Sequence, residues 1–408
     1  MRSILWIRGV FGLRDGDRRL VLAFLFSLVM LLFARLGREM VPLSCHEAMV
    51  SAAKTMEEAI SVLRRARVSR GIPIDVRYDP NRTGLIGMDL TPTTTTPGSL
   101  TAKRTATSPE AAALLVRLLT EAGVKRGDVV AVGASGSFPG LMVATLSACK
   151  ALEVTPILIT SLGASSWGAN IPEFTWLDME QALVEAGVFS WRSSAVSLGG
   201  DEDRGGGMLP EGIEALKNAI TRVSVLSQTG SSSPGGGSST GSEAGFPAGH
   251  RATVPVFLND NGSPGLGIER SIETRMQIYK DAAGGRRIAA FVNIGGASAN
   301  VGTSGAFLKV KPGLHFTLPP CPEQGKGVMF RMSEQGVPVI HLLYIEGLAQ
   351  KYGLKFDPIP LPKPGEGRVY YRERFPRWFP PFILLVYSVG LGVISGWRRT
   401  FFLQRPVR

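Results

Sequence analysis

Residues 128–160, DVVAVGASGSFPGLMVATLSACKALEVTPILIT, decide the fold class. Asp128 to Val132 reads as a fully buried strand, Gly133 to Gly140 as a turn, Leu141 to Leu152 as a helix, and Pro156 to Thr160 as a second buried strand. Strands this continuous in apolar residues suit a parallel sheet covered on both faces, joined by a right-handed helical crossover. The stretch IAAFVNI, residues 288–294, repeats the strand pattern. The expected fold is α/β, with a Rossmann-like parallel or mixed sheet.

Working outward, His46 to Arg67 carries Ala48, Ala52, Met56, Ala59, Ile60 and Leu63 at helical spacing and is expected to lift the domain off a membrane. A Thr-rich stretch, residues 91–110, precedes an amphipathic helix; Thr107 with Glu110 fits a capping box, and Gly123 stops the helix after about Ala122. Two low-complexity insertions, DEDRGGG from Asp201 and a Ser/Gly run inside residues 227–250, read as mobile loops.

The chain has 45 basic and 33 acidic residues, a net charge of +12. Most of the excess sits at the ends: residues 1–19 hold five Arg against Asp15 and Asp17, residues 368–408 hold eight Arg against Glu373, and the middle keeps only +2. Both clusters adjoin apolar segments, Leu20–Ala34 and Trp378–Trp397, so lipid headgroups explain the charge without nucleic acid. The expected plan has a cytoplasmic basic segment 1–19, a transmembrane helix 20–37, an extracytoplasmic domain 38–377, a second transmembrane helix 378–397 and a cytoplasmic tail 398–408. For the first span a cleaved secretory signal is the alternative, but its small-residue cleavage pattern is poor.

Cys45, Cys149 and Cys321 are too few and too scattered for a disulfide framework or a metal cluster, and four His make a His-built zinc site improbable. No cofactor is expected. Candidate chemistry lies instead in a repeated tripeptide: Gly133-Ala134-Ser135, Gly163-Ala164-Ser165 and Gly296-Ala297-Ser298 each follow a predicted strand. At the carboxyl ends of parallel strands such turns converge on the ligand crevice, and small residues let backbone amides approach an anion. The candidate ligand-binding residues are Ser135, Gly136, Ser137, Ser165, Ser166, Asn170, Asn259, Asp260, Asn293, Gly296, Ser298 and Asn300. Each turn taken singly also suits tight strand-to-helix geometry with no ligand.

A nucleophile elbow needs a final glycine that GASGS, residues 133–137, lacks, and His250, His315 and His341 have no triad spacing. Trp167 and Trp176 read as core, Asp178 and Glu180 as charges favoured at a helix start, and Glu269, Arg270 and Arg275 as solvated helix charges that border the cleft at most.

Five strings, TTTTPGSLTAKRTATSPEAAALLVRLL, VAVGASGSFPGL, SLGASSWGANIPEFTWLDME, ETRMQIY and NIGGASANVG, spread over most of residues 85–305. In them the chain resembles the poly-γ-glutamate system proteins, membrane proteins encoded with that polymer's synthesis and export machinery. The resemblance implies a membrane-anchored accessory or binding component of poly-γ-glutamate production that works with other parts of that machinery, and it assigns no catalytic residue. A cleft rich in amide and hydroxyl donors suits carboxylates of a chain end or short segment. The alternative is an extracytoplasmic γ-glutamyl hydrolase or transferase with Ser135 or Ser137 as nucleophile.

Overall fold

The computed structural model describes residues 15–229, 256–258 and 267–395. In chain order the elements are α1 (Asp15–Leu36), β1 (Glu39–Pro42), α2 (His46–Ser69), α3 (Leu100–Ala106), α4 (Glu110–Glu121), β2 (Val129–Ser135), α5 (Pro139–Leu152), β3 (Thr155–Ser161), α6 (Trp176–Glu185), β4 (Ser193–Ser197), α7 (Pro210–Thr229), β5 (Val256–Phe257), α8 (Ile268–Ala283), β6 (Ile288–Ile294), α9 (Ser298–Val301), β7 (Gly313–His315), α10 (Val328–Glu334), β8 (Val339–Leu342), α11 (Ile345–Tyr352), β9 (Tyr371–Arg374) and α12 (Phe379–Ser395). They divide into two compact units, Ser44–Tyr370 and a smaller one made of Met1–Leu43 with Tyr371–Arg408.

The larger unit is built on a mixed seven-stranded sheet in the order β5-β4-β3-β2-β6-β8-β7. Only β7 runs antiparallel, against β8. All seven residues of β2 are buried, as a strand covered on both faces requires. One face packs Val129, Ala131, Ile157, Ile159 and Phe291 against Ile272 and Tyr279 of α8 and Met329 and Phe330 of α10. Strand β2 extends further than its sequence suggests: Gly133, Ala134 and Ser135 pair in register with Ile159, Thr160 and Ser161, so the first tripeptide ends the strand instead of opening a turn.

From β2 the chain steps outward through β3, β4 and β5, then returns to place β6 on the other side of β2. This reversal makes the carboxyl ends of β2 and β6 a topological switch point, where open α/β sheets leave a crevice. Gly295, with a φ of +80°, lets the end of β6 come so near β2 that an added Cβ would lie 3.1 Å from Ser135 Cβ.

Several local expectations are revised. Helix α2 belongs to the larger unit and buries Met49, Ala52, Ala53, Met56 and Leu63, so it is a core helix rather than a stalk. Thr107 does not cap α4; it follows α3, and its hydroxyl donates to Arg104 O at 2.8 Å. The sequence DEDRGGG is ordered, with Gly199 bridged to Arg204, Asp201 bridged to Gly206 and Asp203 only 1% exposed. Helix α7 runs to Thr229 and takes in the start of the insertion expected at 227–250; the remainder of that insertion, from 230, lies outside the described residues.

In the smaller unit β1 pairs antiparallel with β9, Arg38 meets Glu373 at 2.8 Å, and Ser27 Oγ lies 2.9 Å from Tyr387 OH. Among the described residues no helix is long and apolar enough to cross a membrane. Asp15, Asp17, Arg18 and Arg19 occupy the first turns of α1 and Arg35 its last, and the uncharged run Leu20–Ala34 rises only about 22 Å. Helix α12 has 17 residues, about 25 Å of rise, against a hydrocarbon core of about 30 Å. The transmembrane helices expected at 20–37 and 378–397 are therefore not supported. With them fall the extracytoplasmic placement of 38–377 and the cytoplasmic placement of both termini. The basic residues before Asp15 and the tail 398–408 lie outside the described residues.

Candidate functional site

At the switch point a cleft of about 840 Å³ is lined by Ser135 at the end of β2 and Ser137 just beyond it, Gly163 and Ser165 after β3, and Gly296 and Ser298 after β6. All three Gly-Ala-Ser segments thus meet at one rim. The Thr-rich segment, the glycine loop after β4 and the start of α11 complete the lining. Ser298 Oγ donates to Gly200 O at 3.4 Å, tying the β6 turn to that glycine loop.

The Thr-rich segment runs alongside the turn after β3. Thr95 N donates to Ala164 O at 2.8 Å and Ser166 N donates to Thr96 O at 2.9 Å. Asn170 clamps the segment from behind, its Nδ2 donating to Met88 O at 2.8 Å and to Thr94 Oγ1 at 2.9 Å. On the glycine-loop side, Gly207 has a φ of +90° and lies so near Thr95 O that a Cβ would collide with it. Only glycine meets both demands there.

Held in this way, α3 delivers Lys103 into the floor of the cleft. Lys103 is 3% exposed; its Nζ donates to Ser165 Oγ at 2.7 Å and to Ser137 O, and it sits 3.9 Å from the centroid of the Phe138 ring. No carboxylate among the described residues lies within ion-pair distance of it. Burial without a compensating anion disfavours the ammonium and pulls the lysine down to about 7. The Ser135 and Ser137 hydroxyls are committed to each other: Ser135 Oγ donates to Ser137 Oγ at 3.0 Å, Ser137 N donates to Ser135 Oγ at 3.2 Å, and Ser165 N donates to Ser137 Oγ at 3.0 Å.

Behind the cleft lies a buried ion pair. Arg275 of α8 is fully buried and meets Asp203 at 2.8 Å. Its guanidinium also donates to Ser161 Oγ at 3.0 Å and Ser197 Oγ at 2.7 Å, at the ends of β3 and β4. Asp203 in turn accepts from Ser197 Oγ at 2.6 Å and Ser271 Oγ at 2.7 Å. Arg275 is therefore a core strut and not a solvated helix charge.

Of the candidate ligand-binding residues, Ser135, Ser137, Ser165, Gly296 and Ser298 line the cleft. Gly136 packs against Leu162 O, Ser166 bonds the Thr-rich segment, and Asn170 positions it. Asn293 is buried, donating to Gly295 O at 2.9 Å and lying 3.0 Å from His341 Nδ1. Asn300 is buried against Gly133 and accepts from Arg275 at 3.4 Å. Asn259 and Asp260 lie outside the described residues. The sequence reading missed Lys103, Thr95, Thr96, Asp201 and Glu346, all of which line the cleft; the one available signal was a lone lysine in an otherwise hydroxyl-rich stretch.

Among the described residues no group of three His, Cys, Asp or Glu converges as a metal site, and the cleft contains no His. His315 is bonded to Lys311 O, and burial lowers His341 to about 4. All three cysteines are free, and burial pushes the Cys149 thiol up to about 12. A second concavity of about 910 Å³ lies at the amino ends of β6 and β8. Its charges are of mixed sign and include Glu273, Asp281, Arg286 and Arg287. The fold and the cleft together define an α/β domain with a hydroxyl-lined, lysine-floored crevice at its switch point. No protein-family model, curated protein or solved structure matches the chain.

Proposed function

We propose that the cleft binds a carboxylate of a γ-linked glutamyl chain, and that the protein serves as an accessory component of poly-γ-glutamate biosynthesis or export. One observation carries the binding part: Lys103 is a buried cation without an anionic partner among the described residues, bonded to the Ser165 hydroxyl and the Ser137 carbonyl in the floor of a serine-lined crevice. An entering carboxylate supplies the missing counter-charge, and charge-assisted hydrogen bonds of this kind are the strong ones. The polymer is suggested by the sequence resemblance. The modest charge of the central region favours a chain end or short segment over long-range capture of a polyanion.

Titrating the full chain with γ-linked glutamate oligomers tests this. Lys103→Met should weaken binding at least about tenfold, since a hydrogen bond to a charged group is worth about 1.5–3 kcal/mol. Affinity in the wild type should fall as pH rises above about 7, where the free cleft loses its ammonium. Equal affinity of the wild type and Lys103→Met removes the proposed site.

A further inference from the structure

The geometry points to Ser165 as the nucleophile, and Lys103 as its general base, of an acyl-transfer centre acting on the γ-amide linkage of a glutamyl chain in the cleft. The substrate class rests on the function proposed above; the pairing of serine and lysine does not.

Three observations select this pair. Ser165 Oγ is the only serine hydroxyl among the described residues that lies within hydrogen-bond reach of a lysine amine in the cleft, at 2.7 Å. Ser135 and Ser137 are engaged with each other and with backbone N–H groups, so the serines nearest to an elbow motif hold the turn instead. Lys103 is fixed by Ser137 O and by the Phe138 ring, leaving its nitrogen aimed at Ser165. A serine hydroxyl needs an adjacent base to attack a carbonyl, and a lysine serves only when an appreciable fraction is the free amine. Desolvation supplies that fraction near neutral pH.

The step balances within the site. Neutral Lys103, in the fraction of molecules where it is not paired with a carboxylate, takes the Ser165 hydroxyl proton as Oγ bonds to the amide carbon. On collapse the C–N bond breaks, the Lys103 ammonium gives that proton to the leaving nitrogen, and an ester to Ser165 remains. Water, or the amine of a second chain, then attacks the ester and gives its proton to Lys103, which returns it to Ser165 Oγ as the C–O bond breaks. Water shortens the polymer; an amine transfers the acyl group. The other charged groups facing the cleft are Asp201 of the glycine loop and Glu346 of α11, with the phenol of Tyr344 beside them. Arg104, the other basic residue of α3, is paired with Asp357 at 2.6 Å.

A fluorophosphonate probe on the full chain tests the dyad without assuming the substrate. The label should map to Ser165, and its rate should rise with pH along a curve whose midpoint lies near 7. Lys103→Gln should slow labelling at least about a hundredfold, the usual scale of general-base assistance, and abolish that pH dependence. No label, a label on Ser135 or Ser137, or a wild-type rate flat from pH 6 to 9 overturns the proposal. The wild-type profile decides even where the variant fails to fold. If Ser165 is labelled but γ-glutamyl oligomers neither bind nor turn over, the dyad stands and the γ-glutamyl substrate is withdrawn. If the oligomers bind but Ser165 stays unlabelled, the dyad is withdrawn and the binding function stands.

Discussion

Lys103 dominates the behaviour of the site because its charge has no fixed anion nearby among the described residues. Its folded value, about 7, lies below the ordinary 10.5, so between these pH values the unfolded chain binds more protons than the folded one. Stability then rises with pH across that window, and the burden of the buried ammonium is present in full below about 7. Lys103→Met should accordingly gain stability relative to wild type at pH 6, with the gain shrinking as pH approaches 10.5; urea unfolding at a series of pH values measures it, and a constant difference contradicts the assignment. Ser135, Ser165 and Ser298 were legible in the sequence because each sits in a Gly-Ala-Ser step beside an apolar strand. Lys103 was not: it lies 32 residues before Ser135, and tertiary bonds such as those of Thr95, Thr96 and Asn170 bring its segment to the crevice.

Among the elements, the three apolar strands β2, β3 and β6 could be read directly, since burial on both faces leaves an unbroken hydrophobic run. Their exact ends could not, because Gly133 to Ser135 has the composition of a turn yet completes a parallel ladder. The order of the glycine loop after β4 was equally hidden. Its residues are held by Asp203, whose partner Arg275 comes from α8, 72 residues further on. That strut joins α8 to the ends of β3 and β4, so its loss is felt by the cleft wall. Arg275→Met leaves Asp203 buried without its cation and should destabilise the protein by about 3–5 kcal/mol, with ligand affinity lowered as Ser161 loses its support. Denaturant unfolding checks the first effect. A shift below about 1 kcal/mol would mean that the loop relaxes and hydrates Asp203.

On the scale of the whole molecule, the chain keeps the cleft within one unit: every residue lining it lies between Thr95 and Phe356, inside Ser44–Tyr370. Residues 44–370 alone should therefore retain the full chain's affinity for γ-glutamyl oligomers within about twofold, as calorimetry would show; a tenfold loss would assign the terminal segments a part in binding. Those segments misled the sequence reading through their apolar composition, whereas among the described residues α1 carries charges in its first turns and α12 has 17 residues. The wall of the crevice is assembled from six stretches remote in the chain, around Thr95, Ser135, Ser165, Gly206, Ser298 and Tyr344, together with Phe356. No single hairpin or helix pair contains enough of it to recognise anything. Occupancy and nativeness are consequently one thermodynamic event, and a true ligand must delay melting in proportion to the logarithm of its concentration, so the chain reports its own ligands without any knowledge of its chemistry.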